Sequence, residues 1–493
     1  MVVIQREDGV FIIDRSKEST MRNKCEMAQA IDDAISEELQ PLTHSDPRVQ
    51  NKLVEILACL RLTGEDVIRV SEVFGDEMNK GMRDEPSSLR MENTYIPDVF
   101  AGGDEGEYMG LDLGGTNFRV LHVKLKNGVV VSQKFNNYDV DTETRQGEGT
   151  ALFDFLADCV SDFAHKEGVA DKGLTLGFTF SFPMHQKSLH NGILTQWTKS
   201  FSATGVIGHD VVVMLQEALE RRGDVNVRVN AILNDTTGTL LQGCAMDQRT
   251  RVGLILGTGS NAAYLERADR VCHWESERHG EKEIVIDIEW GAFGDNGTID
   301  FCKSHFDRQL DNGSLHINSF SFEKYISGLY LGELVRIVLL HLANNRLLFN
   351  GILSKKIQVK DSFLSSYVSR IEKDTVDTQS HETESILQQF DLTYNDDDVN
   401  VLKYVCELIS LRASLLVSAC CARLLKQMDK PDVTFAVDGS VFKFHPRYRK
   451  WMEIFIGLLA PNYKFQLLLA EDGSGKGAAI ASAIASRLEK TYH

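Results

Sequence analysis

The 493-residue sequence is marked first by what it lacks. Its nine cysteines contain no Cys-x-x-Cys pair and their number is odd, so neither a zinc site nor a disulfide framework is expected. Reduced thiols in a cytosolic protein fit better. Positive charge is not in surplus either: 53 Lys and Arg face 71 Asp and Glu, a formal charge of −18. That balance argues against a nucleic-acid or anionic-membrane partner, both of which require a basic face. A polyphosphate ligand would have to be held by a local site. A long uncharged apolar run is also missing. The start, "MVVIQREDGVFIIDRSK", meets charges too early for a signal-peptide core. The most apolar later stretch, "LISLRASLLVSACCARLL", carries two arginines and three serines and reads as a buried helix, not a membrane span. A cytoplasmic protein without a transmembrane segment is the expectation.

With 43% hydrophobic and 25% charged residues the composition is that of a soluble globular chain, and its length exceeds one ordinary core, so two domains are expected. Residues 21–82 place apolar side chains at helical spacing. A polar, proline-containing segment, "RDEPSSLRMENTYIPDV", follows, and the acidic "AGGDEGE" after it reads as a linker. "YMGLDLGGTNFRVLHVKLKNGVVVSQKFNNYDV" reads as three strands: one into the Gly-Gly turn, one out of it, and a third after the Asn127-Gly128 hairpin signal. A helix at "TALFDFLADCVSDFAHKEG" and a strand at "LTLGFTFSFP" come next. The layout then repeats, with "VGLILGTGSNAAYLERADRVCHW" as strand, Gly-Thr-Gly turn and strand, "KEIVIDIEWG" as a strand, and "SFEKYISGLYLGELVRIVLLHLANN" as helix. The last unit has the strands "VTFAVDGSVF" and "YKFQLLLAED" and the helix "GSGKGAAIASAIASRLEK". Two α/β halves, each opening on strand, glycine turn and strand, suggest two similar domains that aim backbone turns at one ligand.

An isolated glycine turn is usually structural, supplying positive φ in a hairpin. Here each turn joins apolar strands and carries hydroxyl or amide groups: Thr116 and Asn117 in the first, Thr258, Ser260 and Asn261 in the second. Backbone N–H groups in such turns make an anion nest, and Asp112 is the acid that would hold Mg²⁺ through water. The third cluster, "EDGSGKGAA", is not a Walker A loop, since Gly477 follows Lys476 and Ala470 stands where the first glycine belongs. Local sequence leaves two readings of it open: a helix N-terminus near a nucleotide, or a glycine helix start with alanine-rich packing.

The stretch "LGFTFSFPMHQKSLHNGILTQWTKSF", residues 176–201, closely resembles the hexokinase signature, with FSFP, spaced Gln, Gly and Leu, and WTK. The resemblance covers nearly the whole chain and includes "LDLGGTNFRV", "ILNDTTGTL", "LILGTGSNAAY", "EWGAFGD" and "VDGSVFKFHP" in order. It is to eukaryotic hexokinases of single-unit, glucokinase-like size. It implies an α/β, actin-like ATPase (ribonuclease-H-like) fold with two α/β domains around a cleft. Beyond a tail at residues 1–20, it places residues 21–97 and 236–474 in a large domain and residues 98–235 and 475–493 in a small one.

The resemblance also implies roles. Asp235 corresponds to the catalytic base that accepts the proton of a hexose C6 hydroxyl, although local sequence alone favours a helix cap there. Lys199 would set its charge on the transferring phosphoryl group. Ser181, Thr198, Lys199, Asn234, Asp235, Asn261, Glu289 and Glu323 match sugar-binding positions, where each hydroxyl needs a directional partner. For ATP, Asp112, Gly114, Gly115, Thr116, Asn117 and Arg119 fall at the first phosphate loop and Gly257, Thr258 and Gly259 in the second. Gly439 and Ser440 match the adenosine-side loop, and Ser365 and Ser369 a nucleotide-contacting helix. Three positions depart from the family pattern: Ser200 stands where glycine usually follows WTK, Asp287 where the strand before EWG usually has Asn, and "INSFSFEK" is shorter than usual ahead of Glu323. The implied activity is ATP-dependent hexose 6-phosphorylation, the entry step of glycolysis, with D-glucose and related hexoses and MgATP as partners. The alternative from another class is a hexokinase-like sugar sensor or scaffold that binds without turnover. Weak association with the mitochondrial outer surface is left open beside a cytosolic location.

Overall fold

Apolar runs broken by glycine turns become strand pairs in the computed structural model of the chain, which describes residues 2–6, 9–13, 15–97, 99, 103–114, 117–198, 200–376 and 381–492. Contact density divides these residues into two compact units. One comprises Met1–Gly75, Gly297–Gln427 and Phe444–Tyr463; the other comprises Asp76–Asn296, Met428–Lys443 and Lys464–His493.

The second unit holds two mixed sheets built on one plan. In the five-stranded sheet, Val227–Leu233, Leu174–Phe180 and Gly106–Leu113 run parallel, and Asn117–Lys126 and Val129–Asp139 add antiparallel. In the six-stranded sheet, Lys464–Leu469, Asp432–Asp438 and Thr250–Leu256 run parallel, followed by antiparallel Ser260–Arg267, Glu283–Asp287 and Glu92–Pro97. The last strand corrects the sequence reading, which left residues 92–97 in a polar connection. Its Pro97 sits at the strand's end on the sheet edge, where a missing N–H costs little. Thr94 Oγ1 also donates to the Val285 carbonyl at 2.8 Å, tying the edge to its neighbour.

Two helices fill the space beside these sheets, and glycines let them approach closely. A Cβ on Gly177 in the five-stranded sheet would lie 1.9 Å from the Ala478 carbonyl oxygen of the helix Gly473–Tyr492. That helix meets the helix Asp235–Met246 through Gly477, whose Cβ would lie 2.1 Å from the Gly238 carbonyl oxygen. The second helix in turn packs on the six-stranded sheet, where a Gly253 Cβ would fall 2.5 Å from the Thr236 carbonyl oxygen. Ala478, Ala479, Ala483 and Ile484 join Ala231, Leu240 and Ala263 in one buried cluster. The alanine-rich packing that sequence allowed for the last helix is therefore realised.

The first unit is mostly helical, with one antiparallel strand pair, Val2–Arg6 and Gly9–Ile13. The periodic run over 21–82 separates into Arg15–Glu38, Pro47–Leu57 and Gly64–Gly81, the middle helix opened by Pro47 at its first turn behind the Asp46 cap. The first of these begins inside the stretch expected as a tail. Asp396–Met428 is long and apolar enough to cross a membrane, but its apolar window is wholly buried within the protein. Arg412 inside it pairs with Asp307 through two 2.9 Å hydrogen bonds, as a core helix requires of a buried charge. All nine cysteines are free thiols.

Candidate active site

The parallel strand Val227–Leu233 delivers Asn234 to the start of a helix, and Asn234 Oδ1 accepts from the Thr236 backbone N–H at 2.9 Å. Asn234 is thus the cap. Asp235 becomes the first helical residue, half-buried, with its Oδ1 accepting from Thr236 Oγ1 at 3.3 Å. The capping role that local sequence favours for Asp235 belongs to its neighbour, so the carboxylate is not required to start the helix.

Asn261, buried at the head of the strand Ser260–Arg267, organises a group of acids. Its Nδ2 donates to Asp287 Oδ1 at 2.8 Å and to Glu289 Oε1 at 3.2 Å. Its Oδ1 accepts from the backbone N–H groups of Ala262 at 2.7 Å and Trp290 at 3.3 Å, so the amide is fixed from both ends. Glu289 takes up a left-handed backbone, φ 55°, a conformation costly for a side-chain-bearing residue and frequent where a site demands it. Burial pushes its carboxyl up to about 7, and the charges of Glu92 and Asp235 add to the effect while Arg90 opposes it. Burial likewise holds Asp287 well above the ordinary carboxylate range, with the charge of Glu289 next in size. Such displaced acids mark a functional site when they share one locality.

On the other side of Asp235 the glycine turns meet backbone to backbone. Gly439 has φ 117°, and a Cβ there would lie 2.4 Å from the Leu256 carbonyl and 2.6 Å from the Gly257 nitrogen. Only glycine fits. Gly257 is buried, Thr258 exposed and Gly259 half-buried, while Ser440 is exposed at the head of a short helix. A Cβ on Gly114 would meet nothing within 4 Å, so the space beside the first turn is open. Two acids that sequence reading did not single out bind these turns to the helix Gly473–Tyr492. Asp438 accepts from Gly439 N at 2.7 Å and Gly473 N at 3.4 Å, and Asp472 pairs with Arg119 Nη1 at 2.9 Å. Ser474 Oγ donates to Asp112 Oδ2 at 2.5 Å. The signal of Asp472 in sequence is faint, because its partner Arg119 lies in a distant part of the chain.

The loop after "FSFP" is anchored by aromatic rings. Trp197 lies 4.8 Å from Phe182 and 5.5 Å from Phe201 between ring centroids, and its Nε1 donates to the Ala203 carbonyl at 2.8 Å. Thr198 is half-buried and Ser181 buried nearby in sequence on either side of that cluster. Ser200 accepts from Arg145 Nη1 at 2.6 Å, which gives the unusual serine a partner. Lys199, Gly115 and Thr116 lie outside the described residues, as does the side chain of Asn117. Glu323, Ser365 and Ser369 belong to the other compact unit. There Glu323 sits half-buried in the first turn of Ser321–Ile326, and Ser365 Oγ accepts from Gly332 N at 2.8 Å at the start of the helix that also carries Ser369.

The donor set suits a nucleotide with magnesium. Glycine backbone at 257 and 439 offers a close approach, and Gly114 borders open space. Among the described residues no group of three or more His, Cys, Asp or Glu could hold a metal ion. A single carboxylate at Asp112 matches Mg²⁺, which keeps waters and takes phosphate oxygens as its remaining ligands.

Comparison with known proteins supplies the relationship. Residues 52–245 match one family profile described as Hexokinase and residues 251–484 match a second with the same description. The hexokinase of Schistosoma mansoni is 38% identical over 452 residues, covering 90% of this chain and 100% of that protein. The chain belongs to the hexokinase family. Mouse hexokinase-3 is 40% identical over 449 residues, and there the chain spans only 48% of the relative's length. Among solved structures, the Schistosoma mansoni hexokinase complexed with glucose superposes with TM-score 0.81 at 39% identity, over 89% of this chain and 100% of that one. A second hexokinase crystal structure gives TM-score 0.76 at 28% identity, with the same coverage. The fold of this hexokinase-family chain is accordingly the α/β actin-like ATPase fold expected from its motifs, with the repeated mixed sheets as its signature.

Proposed function

We propose that the chain is an ATP:D-hexose 6-phosphotransferase that converts glucose and ATP to glucose 6-phosphate and ADP. The observation that carries this reading is the position of Asp235, released from capping by Asn234 and set between the Asn261–Asp287–Glu289 group and the Gly257–Gly439 turns. Glucose, which the Schistosoma relative holds in its solved structure, offers the hydroxyls that such a ring of amides and carboxylates serves. Asn261, Glu289, Asn234, Ser181 and Thr198 orient the sugar, with Glu323 as the further sugar ligand that the hexokinase resemblance implies. Asn234 spends its Oδ1 on the helix cap and so presents Nδ2 to a ligand.

In the proposed reaction Asp235 accepts the C6 hydroxyl proton as O6 bonds to the γ-phosphorus and the bond to the β-phosphate oxygen breaks, releasing ADP. Lys199 and the backbone N–H groups of the turns at 114–117 and 257–259 stabilise the charge on the transferring group. Magnesium, held by Asp112 through water, would neutralise phosphate charge. Ser365 and Ser369 serve the nucleotide, and Arg119, held by Asp472, borders its phosphates. We further propose that residues 21–97 with 236–474 and residues 98–235 with 475–493 move as the large and small domains on sugar binding, so that water is excluded before transfer. A cytosolic location accords with the free thiols. The test is ADP release from MgATP with glucose, mannose, fructose and glucosamine in turn. Sugar-dependent release is expected; glucose binding without release would leave the sensor reading instead.

A further inference from the structure

Asp287 is a buried acid that the proposed reaction does not use. It closes the strand Glu283–Asp287, stands opposite Ala263 on one side and Glu92 on the other, and is 5% exposed. Its Oδ1 accepts from the Asn261 Nδ2 that also donates to Glu289 Oε1, so one amide nitrogen holds both carboxyl groups. Two ionised carboxylates held on one buried amide nitrogen repel each other, and a proton on one relieves the repulsion and makes it a donor. The charged groups around the pair are Glu92 on the edge strand, Asp235 on the helix, and Arg90, the cation that acts on Glu289; His185 and His273 act on Glu92. Two of the five, Glu92 and Asp235, are acids whose charge adds to burial in favouring a proton inside the group.

We propose that Asp287 is a positioning residue for the sugar: its carboxyl keeps a proton at neutral pH, donates it to Glu289, and accepts from Asn261 with its other oxygen. The proton belongs on Asp287 because it is the more deeply buried of the two, whereas half-buried Glu289 remains available to accept from a sugar hydroxyl. Burial first and the charge of Glu289 second hold its carboxyl well above the ordinary range. A protonated carboxyl offers one donor and one acceptor, the same complement that an asparagine side chain would offer both neighbours. As long as it stays neutral, Asp287 is chemically equivalent to an asparagine at this position. Deprotonation would place a second charge against Glu289 and remove the bond that orients it.

This inference rests on the proposed sugar phosphorylation for its kinetic arm only. Glucose KM and kcat are measured for the wild type, Asp287→Asn and Asp287→Leu from neutral to alkaline pH. Infrared difference spectra of the sugar-free proteins read the protonated-carboxyl C=O band. At neutral pH Asp287→Asn should keep the wild-type KM, while Asp287→Leu should raise it about tenfold with a much smaller effect on kcat, as when a buried carboxylate loses a hydrogen-bond donor. On the alkaline side the wild-type KM should rise and that of Asp287→Asn should stay flat. The wild type should show a protonated-carboxyl band at neutral pH that Asp287→Asn lacks. A KM raised in Asp287→Asn as far as in Asp287→Leu would overturn the proposal, because an ionised acceptor would then be what the site needs. An identical carboxyl band in wild type and Asp287→Asn would overturn it too. Should the wild type release no ADP with any sugar, the phosphotransferase reading fails while the infrared arm still decides the state of Asp287, and it does so even if Asp287→Leu does not fold.

Discussion

Glu289 shows how one side chain can serve the site at the expense of the fold. Its carboxyl is raised from an ordinary value of 4.5 to about 7, burial being the main cause. A group whose folded pKa is raised favours the folded state fully below its unfolded pKa, and that contribution is lost as pH rises through the folded one. Between about pH 4.5 and 7 the native protein therefore binds a proton that the unfolded chain has released, and above 7 Glu289 is a half-buried charge without full compensation. Glu289→Gln is neutral throughout. It should raise the melting temperature at pH 8 and have much less effect at pH 5, while weakening glucose binding; such a trade is common where a site is kept strained. Equal shifts at both pH values in thermal melts would refute the electrostatic account. Of this group, Glu289 was legible from its place beside Trp290 in "EWGAFGD", but Glu92 was not. It lies in a polar segment whose strand pairing with residues 284–287 depends on chain nearly two hundred residues away.

The helix Gly473–Tyr492 and the turns at its head depend on two kinds of glycine, and the same substitution separates them. Gly177 and Gly477 are spaces into which another backbone fits, with carbonyl oxygens 1.9 and 2.1 Å from where a Cβ would be. Gly114 borders nothing within 4 Å. Gly177→Ala should cost about 1–3 kcal/mol or more, since overpacking against backbone cannot be relieved by a rotamer change, and it will appear as a lowered denaturant midpoint. Gly114→Ala should leave that midpoint within about 0.5 kcal/mol of wild type and raise the KM for ATP instead. A Gly114→Ala protein as unstable as Gly177→Ala would mean that the first turn is a packing device. Sequence supplied the strands on either side of each turn, because apolar runs interrupted by glycine have few other solutions. It could not distinguish packing from ligand use in "EDGSGKGAA". The structure shows the packing in full, together with two links to the turns, Ser474 to Asp112 and Gly473 to Asp438, which no local pattern encodes.

For the proposed reaction, a chain of net charge −18 must gather its positive and N–H groups locally, and the doubled sheet plan offers glycine turns from both sheets for this. The order of motifs made that plan legible, since each half repeats strand, glycine turn and strand. The edge strand at 92–97 was hidden by its polar start at Glu92 and by Pro97, a residue that sheets accept only where one side is unpaired. Asp235 lies near both the acids and the glycine turns of the six-stranded sheet, and the assignment of phosphoryl transfer depends on it. The decisive measurement is kcat for glucose-dependent ADP release, taken with the melting temperature on the same purified Asp235→Ala protein. Loss of a general base lowers turnover by roughly 10²–10⁴-fold, and because Asn234 caps the helix, the melting temperature should change little. A folded Asp235→Ala protein that turns over near the wild-type rate would contradict the mechanism.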